Sequence, residues 1–449
     1  MLSPFLVILL LLPFPADRGL DKLIDESDTQ GTISRIQQLV AEQQIRSLSV
    51  IANAIGMVEA TPEGQWHHVD RYRVFTGAIR ALTTLPGQKL AKEIPKVMGK
   101  CKQWPSRVFL LELSLQSDLV DSVQLALKNV DDRSPQVARV AARILGHSQE
   151  IVALEPLISA MTRWEETRTR ESAARGGREG LSKRARDRAW LSCRDALHRL
   201  TGLSLHGAIP YKNWIAAHRD EIDPSKVDLD KVVEKSTGVG LFGLELTGKN
   251  IAFILDVSGS MLATDPPSDE AIEIARRSTG VGDNVDQKLR ELMEKRRRII
   301  RARTQLCQAI EGLGDERRFT VIPFSSEVNP WSKVLLESSR KNRKSAVQFV
   351  QSLKASGITV TDEALALALS DPTLDTIYLI TDGAPTHIGS QGDQLPLDAK
   401  VLMKRIVEET RALNHLRGIR IFTLGFIDAE EDFLKRLAQE NSGKYVRIR

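Results

Sequence analysis

The sequence predicts a protein of two parts, an all-α N-terminal region followed by an α/β domain with a mainly parallel central sheet. From about residue 30 to 220, apolar residues recur at helical spacing, as in VARVAARIL at 137–145. After residue 249 the pattern changes to short apolar runs, rich in β-branched residues, that alternate with helical stretches. Such runs separated by helices are typical of parallel strands that are buried on both faces.

Composition and charge exclude several classes of protein. The chain has 449 residues, which at roughly 150 per domain allows two or three domains. Aromatic residues make up only 5%, which argues against extensive stacking surfaces for sugars or single-stranded bases. A net charge of +5 is mildly basic and favours an acidic partner. The three cysteines are far apart and form no CxxC or Cys/His cluster, so we expect buried free thiols rather than a zinc site or a disulfide framework.

The first residues predict a leader. Residues 5–14 read FLVILLLLPF, an apolar run shorter than the roughly 20 residues that a bilayer span needs but typical of a secretion-signal core. We therefore predict a signal peptide in residues 1–18 and an exported protein, whether periplasmic, cell-surface or extracellular. The segment before the run lacks Lys and Arg, and Phe14 is large for the position that it would hold before a cut after Ala16. A buried N-terminal strand or helix is the alternative.

The region 30–222 is predicted to contain repeated helix pairs. The helix at 137–145 is followed by Gly146 as a stop and by a second apolar stripe at 154–161, and residues 108–130 form a similar pair about 30 residues upstream. DDRSPQVARVAARILG followed by VALEPLISAM resembles short HEAT repeats. The resemblance implies a HEAT-like solenoid that acts as a scaffold or partner-binding surface. An irregular helical bundle is the alternative.

Two further segments complete the first half of the chain. Residues 163–188 are rich in both Arg and acidic residues, and we interpret them as an insertion between helices or a solvated loop and helix face. Residues 197–222 resemble the end of the helical part in bacterial proteins that fuse HEAT-like repeats to a later domain, which implies that Tyr211 and Trp214 pack the final helix. Residues 223–248 are predicted to be a linker that ends in a lead-in strand, VGLFGLEL.

Five apolar runs are predicted to form the sheet of the domain at 249–449. They are IAFILD (251–256), FTVIPFS (319–325), TIYLIT (376–381), IRIFTLGF (419–426) and YVRI (445–448). Parallel sheets of this kind place functional loops at the carboxyl ends of their strands.

Polar residues follow two of these runs. Asp256, Ser258 and Ser260 alternate at the end of the first run, so a loop leaving the strand can turn all three oxygens to one side. Asp382, followed by glycine, ends the third run, and Thr359 lies between them in SGITVTDEALALAL. Together these residues resemble the metal-ion-dependent adhesion site of von Willebrand factor A domains, whose pattern is DxSxS, a later Thr and a later Asp-Gly. The resemblance covers residues 239–449 and implies a Rossmann-like α/β fold.

The chemistry of these residues suits a hard divalent cation. Mg²⁺ or Mn²⁺ prefers about six oxygen ligands and retains waters readily. Ser258, Ser260 and Thr359 can offer neutral oxygens directly, and the resemblance implies that Asp256 and Asp382 act largely through bound waters or hydrogen bonds. An Asp or Glu of another protein could then take an open position on the metal. We therefore expect a non-enzymatic, metal-dependent adhesion protein that docks an acidic partner residue.

The sequence departs from the family pattern at two places. Ile358 precedes Thr359 where the family usually has glycine, so Thr361 is a second candidate ligand, and Asp362 is expected to cap the following helix. Residues 263–297 form an insertion between the metal loop and the first helix, which must emerge beside the metal site. The basic stretch 290–303 is expected to be a solvated helix face that favours an acidic ligand.

Two other functions remain as alternatives. A metal-dependent or serine hydrolase would need a second Asp in place of Ser258 or a GxSxG elbow, and the chain has neither. His387 is expected to be a loop histidine rather than a base. Helical repeats joined to a von Willebrand A domain also occur in the RNA-binding Ro autoantigen family. The leader, the sparse aromatics and the interspersed acidic residues argue against RNA binding.

Overall fold

The chain forms two compact units, Met1–Val232 and Val233–Arg449. The computed structural model describes residues 17–61, 65–117, 120–173, 181–227, 240–268, 270, 272–274, 285–386 and 398–448. Nearly all of the predicted signal peptide, and His387, lie outside these residues. No helix in the described part of the chain is long and apolar enough to cross a membrane.

The N-terminal unit is helical, as predicted. Its helices are α1 (Arg18–Asp25), α2 (Thr29–Gln43), α3 (Ser47–Ala60), α4 (His68–Leu82), α5 (Gly87–Lys100), α6 (Trp104–Leu115), α7 (Ser122–Asn129), α8 (Pro135–His147), α9 (Leu154–Ala173), α10 (Leu181–Thr201) and α11 (Ala208–His218). Helices α3, α6, α8 and α10 pack on one another in succession. The α8 and α10 backbones meet at Gly146, where a Cβ atom would lie 2.7 Å from the Cα atom of Ala196. The HEAT-like solenoid stays a prediction.

The last helix of this unit is held by Tyr211. Its side chain is fully buried, and its hydroxyl donates to the Leu203 carbonyl over 2.6 Å. Trp214 is half-buried and stacks on His218 at 4.6 Å between ring centroids. The charged stretch at 163–188 falls partly in α9 and α10, and its central residues, 174–180, lie outside the described part of the chain.

The C-terminal unit opens with a small hairpin where one lead-in strand was predicted. Strands β1 (Gly240–Leu241) and β2 (Leu244–Glu245) pair antiparallel with each other and not with the central sheet. The turn between them has a φ of +51° at Phe242 and +80° at Gly243. Two successive positive φ values reverse the chain tightly, so VGLFGLEL cannot run on as one strand.

The central sheet has six strands in the order β5-β4-β3-β6-β7-β8. These are β3 (Asn250–Asp256), β4 (Arg318–Phe324), β5 (Leu336–Glu337), β6 (Thr376–Thr381), β7 (Arg420–Gly425) and β8 (Tyr445–Arg447). Every neighbouring pair is parallel except β4 with the short edge strand β5. All five predicted strands are present, and the predicted α/β fold with a mainly parallel sheet is confirmed.

The helices described in this unit are α12 (Val285–Lys295), α13 (Arg298–Glu311), α14 (Arg340–Ser352), α15 (Thr361–Ser370), α16 (Ala399–Asn414) and α17 (Glu431–Glu440). Five of them cover the two faces of the sheet. Helices α13 and α14 pack on one face, and α15, α16 and α17 on the other. Strand β3 is buried along its whole length at the centre of the sheet. Its carboxyl end therefore emerges between β4 and β6, where the candidate site lies.

Candidate functional site

The two aspartates predicted for the site lie at the ends of adjacent parallel strands. β3 pairs with β6, which places Asp256 level with Thr381 and next to Asp382. Asp256 is fully buried, and one carboxylate oxygen accepts from the Ser258 backbone N–H at 2.8 Å. The other accepts from the Thr381 hydroxyl at 2.6 Å. Both oxygens thus accept hydrogen bonds, one from the serine loop and one from the end of β6.

A chain of hydroxyl groups joins the first strand end to the second. The Ser260 hydroxyl donates to Asp382 Oδ1 at 2.7 Å, and the Ser258 Oγ lies 2.9 Å from the Ser260 Oγ. A serine hydroxyl has one proton, so Ser260 must accept from Ser258 once it donates to Asp382. Ser258 and Asp382 are almost fully buried, whereas Ser260 is exposed. Three of the predicted site residues thus meet in one hydrogen-bonded row that opens to solvent at Ser260.

The loop that carries Thr359 lies against the serine loop. The Gly259 N–H donates to the Gly357 carbonyl at 3.0 Å. Thr359 is itself clamped by Thr386, whose hydroxyl accepts from the Thr359 N–H at 2.8 Å and whose N–H donates to the Thr359 carbonyl at 2.7 Å. Thr359 is 5% exposed. Its loop is therefore fixed by backbone hydrogen bonds to both strand-end loops.

Ile358 is accommodated because the left-handed residue of this loop is Gly357, with a φ of +83°. The Ile358 N–H donates to the Ser326 hydroxyl at 3.2 Å. The residue that replaces the usual glycine therefore needs no unusual backbone conformation. Thr361 is buried as the first residue of α15.

The expected cap at Asp362 is wrong. Helix α15 begins two residues earlier than that cap would require, with Val360 as the N-cap and no side-chain capping bond. Asp362 therefore lies within the first turn, where a carboxylate favours the helix through the dipole rather than as a cap.

A buried arginine reaches the same site from α13. Arg298 is 5% exposed, and its Nη1 donates to Asp382 Oδ2 at 2.9 Å. Its Nε donates to Asp265 Oδ1 at 2.9 Å, and its Nη2 contacts the carboxylate of Asp428. Arg301 also pairs with Asp265. The expectation that the stretch 290–303 is a solvated face is therefore wrong at Arg298, since its side chain points into the site.

The insertion begins and ends beside this arginine. Thr264 and Arg297 form an antiparallel bridge. The Asp265 N–H donates to the Arg296 carbonyl at 3.2 Å, and the Arg298 N–H to the Ala263 carbonyl at 3.0 Å. The two ends of the segment 263–297 thus close on each other at the edge of the candidate site. Residues 269, 271 and 275–284 within it lie outside the described part of the chain.

Burial shapes the electrostatics of the two charged groups at the site. Desolvation raises the pKa of Asp256 to about 6, although hydrogen bonds from Ser258 and Thr381 oppose the rise. For Arg298, burial lowers the pKa, but hydrogen bonds to Asp382, Asp265 and Asp428 outweigh it and raise the pKa above its ordinary value. Arg298 is therefore a permanent cation beside Asp382.

The donor set suits a hard divalent cation that takes neutral oxygens. Among the described residues, no group of three or more His, Cys, Asp or Glu side chains could hold a metal by itself. The grouping here is different, because hydroxyl oxygens of Ser258 and Ser260 stand next to one buried carboxylate. Such oxygens are the ligands that Mg²⁺ and Mn²⁺ accept. The residues present are therefore compatible with the metal that the motif implies.

Sequence reasoning missed Arg298, Asp265, Asp428, Thr381 and Thr386. A signal for Arg298 was available, because it lies four and eight residues before Ala302 and Leu306 and thus in the apolar stripe of its helix. Asp265, Asp428 and Thr386 follow no periodic pattern, since they lie in loops.

Comparison with known proteins identifies a family for part of the C-terminal unit. Residues 293–447 match the von Willebrand factor type A domain family. The chain is 28% identical over 213 residues to inter-alpha-trypsin inhibitor heavy chain H2 of Homo sapiens, covering 44% of this chain and 18% of that protein. It is 26% identical over 218 residues to inter alpha-trypsin inhibitor heavy chain 4 of Mus musculus, covering 46% and 18%. The chain thus spans less than a fifth of the length of these relatives.

Among solved structures, the chain is similar to a von Willebrand factor type A protein from Catenulispora acidiphila, at 19% identity and a TM-score of 0.31, covering 46% of this chain and 39% of that one. Another is the conserved hypothetical protein BatB from Bacteroides thetaiotaomicron, at 16% identity and a TM-score of 0.28, covering 45% and 90%. Residues 293–447, which lie in the C-terminal unit, therefore belong to a von Willebrand factor type A domain.

Proposed function

We propose that the C-terminal domain binds a divalent cation, Mg²⁺ or Mn²⁺, and uses it to dock an acidic residue of a protein partner. Ser258, Ser260 and Thr359 would supply neutral oxygens to the metal. Asp256 and Asp382 would act through hydrogen bonds and bound waters. The bound metal would supply an electrophilic site for a carboxylate oxygen.

One observation supports this proposal most strongly. The hydrogen-bonded row Ser258–Ser260–Asp382 is built from two separate strand ends and is open to solvent only at Ser260. A row of oxygens that served only to cap a helix would not need a buried carboxylate from another strand. The engagement of both Asp256 oxygens by Thr381 and Ser258 is consistent with a role outside direct coordination.

We infer no enzymatic activity for this site. The described site residues provide hydroxyls and carboxylates but no histidine, and the Ser258 hydroxyl lies 2.9 Å from the Ser260 hydroxyl. The helical unit would serve as a scaffold or partner surface. The apolar run at 5–14 would direct export of the protein. Mass spectrometry of the mature N-terminus tests whether this segment is removed.

Calorimetric titration of the full chain with Mg²⁺ tests the proposed metal site. We expect Ser260→Ala to weaken Mg²⁺ binding on the order of tenfold or more, since it removes a direct ligand and the hydrogen bond that orients Asp382. Ser370→Ala is the matched control, because that exposed hydroxyl donates to the Leu367 carbonyl of its own helix. Equal Mg²⁺ affinities for the wild type and Ser260→Ala would contradict the proposal.

A further inference from the structure

The carboxylate of Asp382 accepts hydrogen bonds from a neutral hydroxyl group and from a positively charged guanidinium. Its Oδ1 accepts from the Ser260 hydroxyl at 2.7 Å, and its Oδ2 accepts from Arg298 Nη1 at 2.9 Å. The Asp382 side chain has no exposed surface. The arginine therefore fixes which oxygen of Asp382 faces the serine loop.

Arg298 is itself held from two other sides. Asp265, at the start of the insertion, accepts from its Nε at 2.9 Å, and Asp428, which follows β7, contacts its Nη2. The Asp428 side chain is 72% exposed, so water screens its charge, whereas those of Asp265 and Asp382 are fully buried. Since Arg301 also pairs with Asp265, the arginine charge is only partly neutralised on that side. Asp382 is therefore a main partner of the positive charge of Arg298.

A fixed cation in contact with Asp382 has a predictable effect on a second cation. The carboxylate whose negative charge would attract Mg²⁺ is already paired, and the guanidinium repels the incoming ion through a poorly hydrated region. Arg298 cannot lose its proton to relieve this repulsion. The arginine therefore stabilises the metal-free site and opposes metal uptake.

We propose that Arg298 is a positioning residue that sets the metal affinity of the domain, holding Asp382 in place while its charge weakens the binding of the divalent cation. This inference rests on the proposed metal site. It also links the insertion to the metal, because Asp265 contacts the same guanidinium. If Arg298 served only the fold, its replacement would leave Asp382 poorly positioned and would weaken metal binding. If its charge opposes the metal, its replacement should tighten metal binding.

Mg²⁺ titration calorimetry of the full chain distinguishes the two roles by sign. Arg298→Gln removes the charge but keeps donors, and we expect it to tighten Mg²⁺ binding on the order of tenfold. Arg298→Lys keeps the charge, so its Mg²⁺ affinity should stay within a few-fold of the wild type. Arg297→Gln is the matched control, because the neighbouring arginine is 43% exposed and pairs with Glu294 on the surface.

Each outcome bears on the inference. If the wild type binds Mg²⁺ and folded Arg298→Gln binds it equally or more weakly, the proposed role of Arg298 is overturned. The proposed metal site is then still supported. Absence of Mg²⁺ binding in the wild type and in every variant overturns the proposed function, and this inference with it. Should Arg298→Gln fail to fold, Arg301→Gln replaces it. Asp265 would then pair with Arg298 alone and neutralise more of its charge, so Mg²⁺ binding should tighten a few-fold. An unchanged or weaker affinity would overturn the inference.

Discussion

Gly357 provides a demanding test of how the Thr359 loop is built. Its φ of +83° lies in the left-handed region. A Cβ atom there would collide with the Ser326 hydroxyl and approach the Ser326 backbone nitrogen to 3.3 Å. Replacement by alanine would thus strain the backbone and displace the hydroxyl that accepts from the Ile358 N–H.

The magnitude follows from these contacts. A non-glycine residue in the left-handed region costs about 1–2 kcal/mol, and a lost hydrogen bond about 1 kcal/mol. Alanine also restricts the unfolded chain, which offsets up to about 1 kcal/mol. We therefore expect Gly357→Ala to destabilise the C-terminal unit by about 2 kcal/mol.

Because the chain has two compact units, the assay must report on one of them. Native-state hydrogen exchange of peptides from β3 and β4 measures the opening free energy of the C-terminal unit. Gly99→Ala is the control, since an added Cβ at that exposed position in α5 meets nothing within 4 Å. That change lies in the N-terminal unit, so it should leave the opening free energy of the C-terminal unit unchanged. An opening free energy for Gly357→Ala equal to that of the wild type would refute this account of the loop.

Further predictions concern the rest of the chain. Burial raises the pKa of Cys193 to about 12 and that of Cys101 to about 11. Both thiols should therefore react with a thiol-specific reagent only after unfolding, and rapid labelling of the native protein would contradict their burial. Gly146→Ala should destabilise the N-terminal unit by about 1–3 kcal/mol, because the new methyl group meets the α10 backbone at Ala196. Urea denaturation followed by hydrogen exchange in α8 and α10 checks this, and an unaltered midpoint would argue against the close packing.

The fold could be predicted from the sequence because its signals are periodic. The runs at 251–256, 319–325 and 376–381 are buried on both faces, so nearly every residue is apolar and the strands are visible as blocks. The lead-in segment shows the limit of this reasoning. Its apolar residues resemble a strand, but the positive φ values at Phe242 and Gly243 turn it into a hairpin.

The candidate site was only partly predictable. Asp256, Ser258, Ser260 and Asp382 could be grouped because together they resemble the adhesion-site pattern of von Willebrand factor A domains. The structure adds that they follow adjacent parallel strands. Arg298 lies in a basic stretch, where composition does not separate a buried arginine from a solvated one. The helical spacing to Ala302 and Leu306 indicates its burial but not its partners. Its burial depends on carboxylates from distant parts of the chain, which sequence spacing does not bring together.

The central claim is that oxygens from three separate stretches of the C-terminal domain surround one cation. A crystal of the full chain soaked in Mn²⁺ tests this directly, because manganese gives an anomalous scattering peak. The account predicts a single peak in this domain in contact with the hydroxyls of Ser258, Ser260 and Thr359. A saturating soak that leaves this place without a peak, or puts the ion on other side chains, would contradict it.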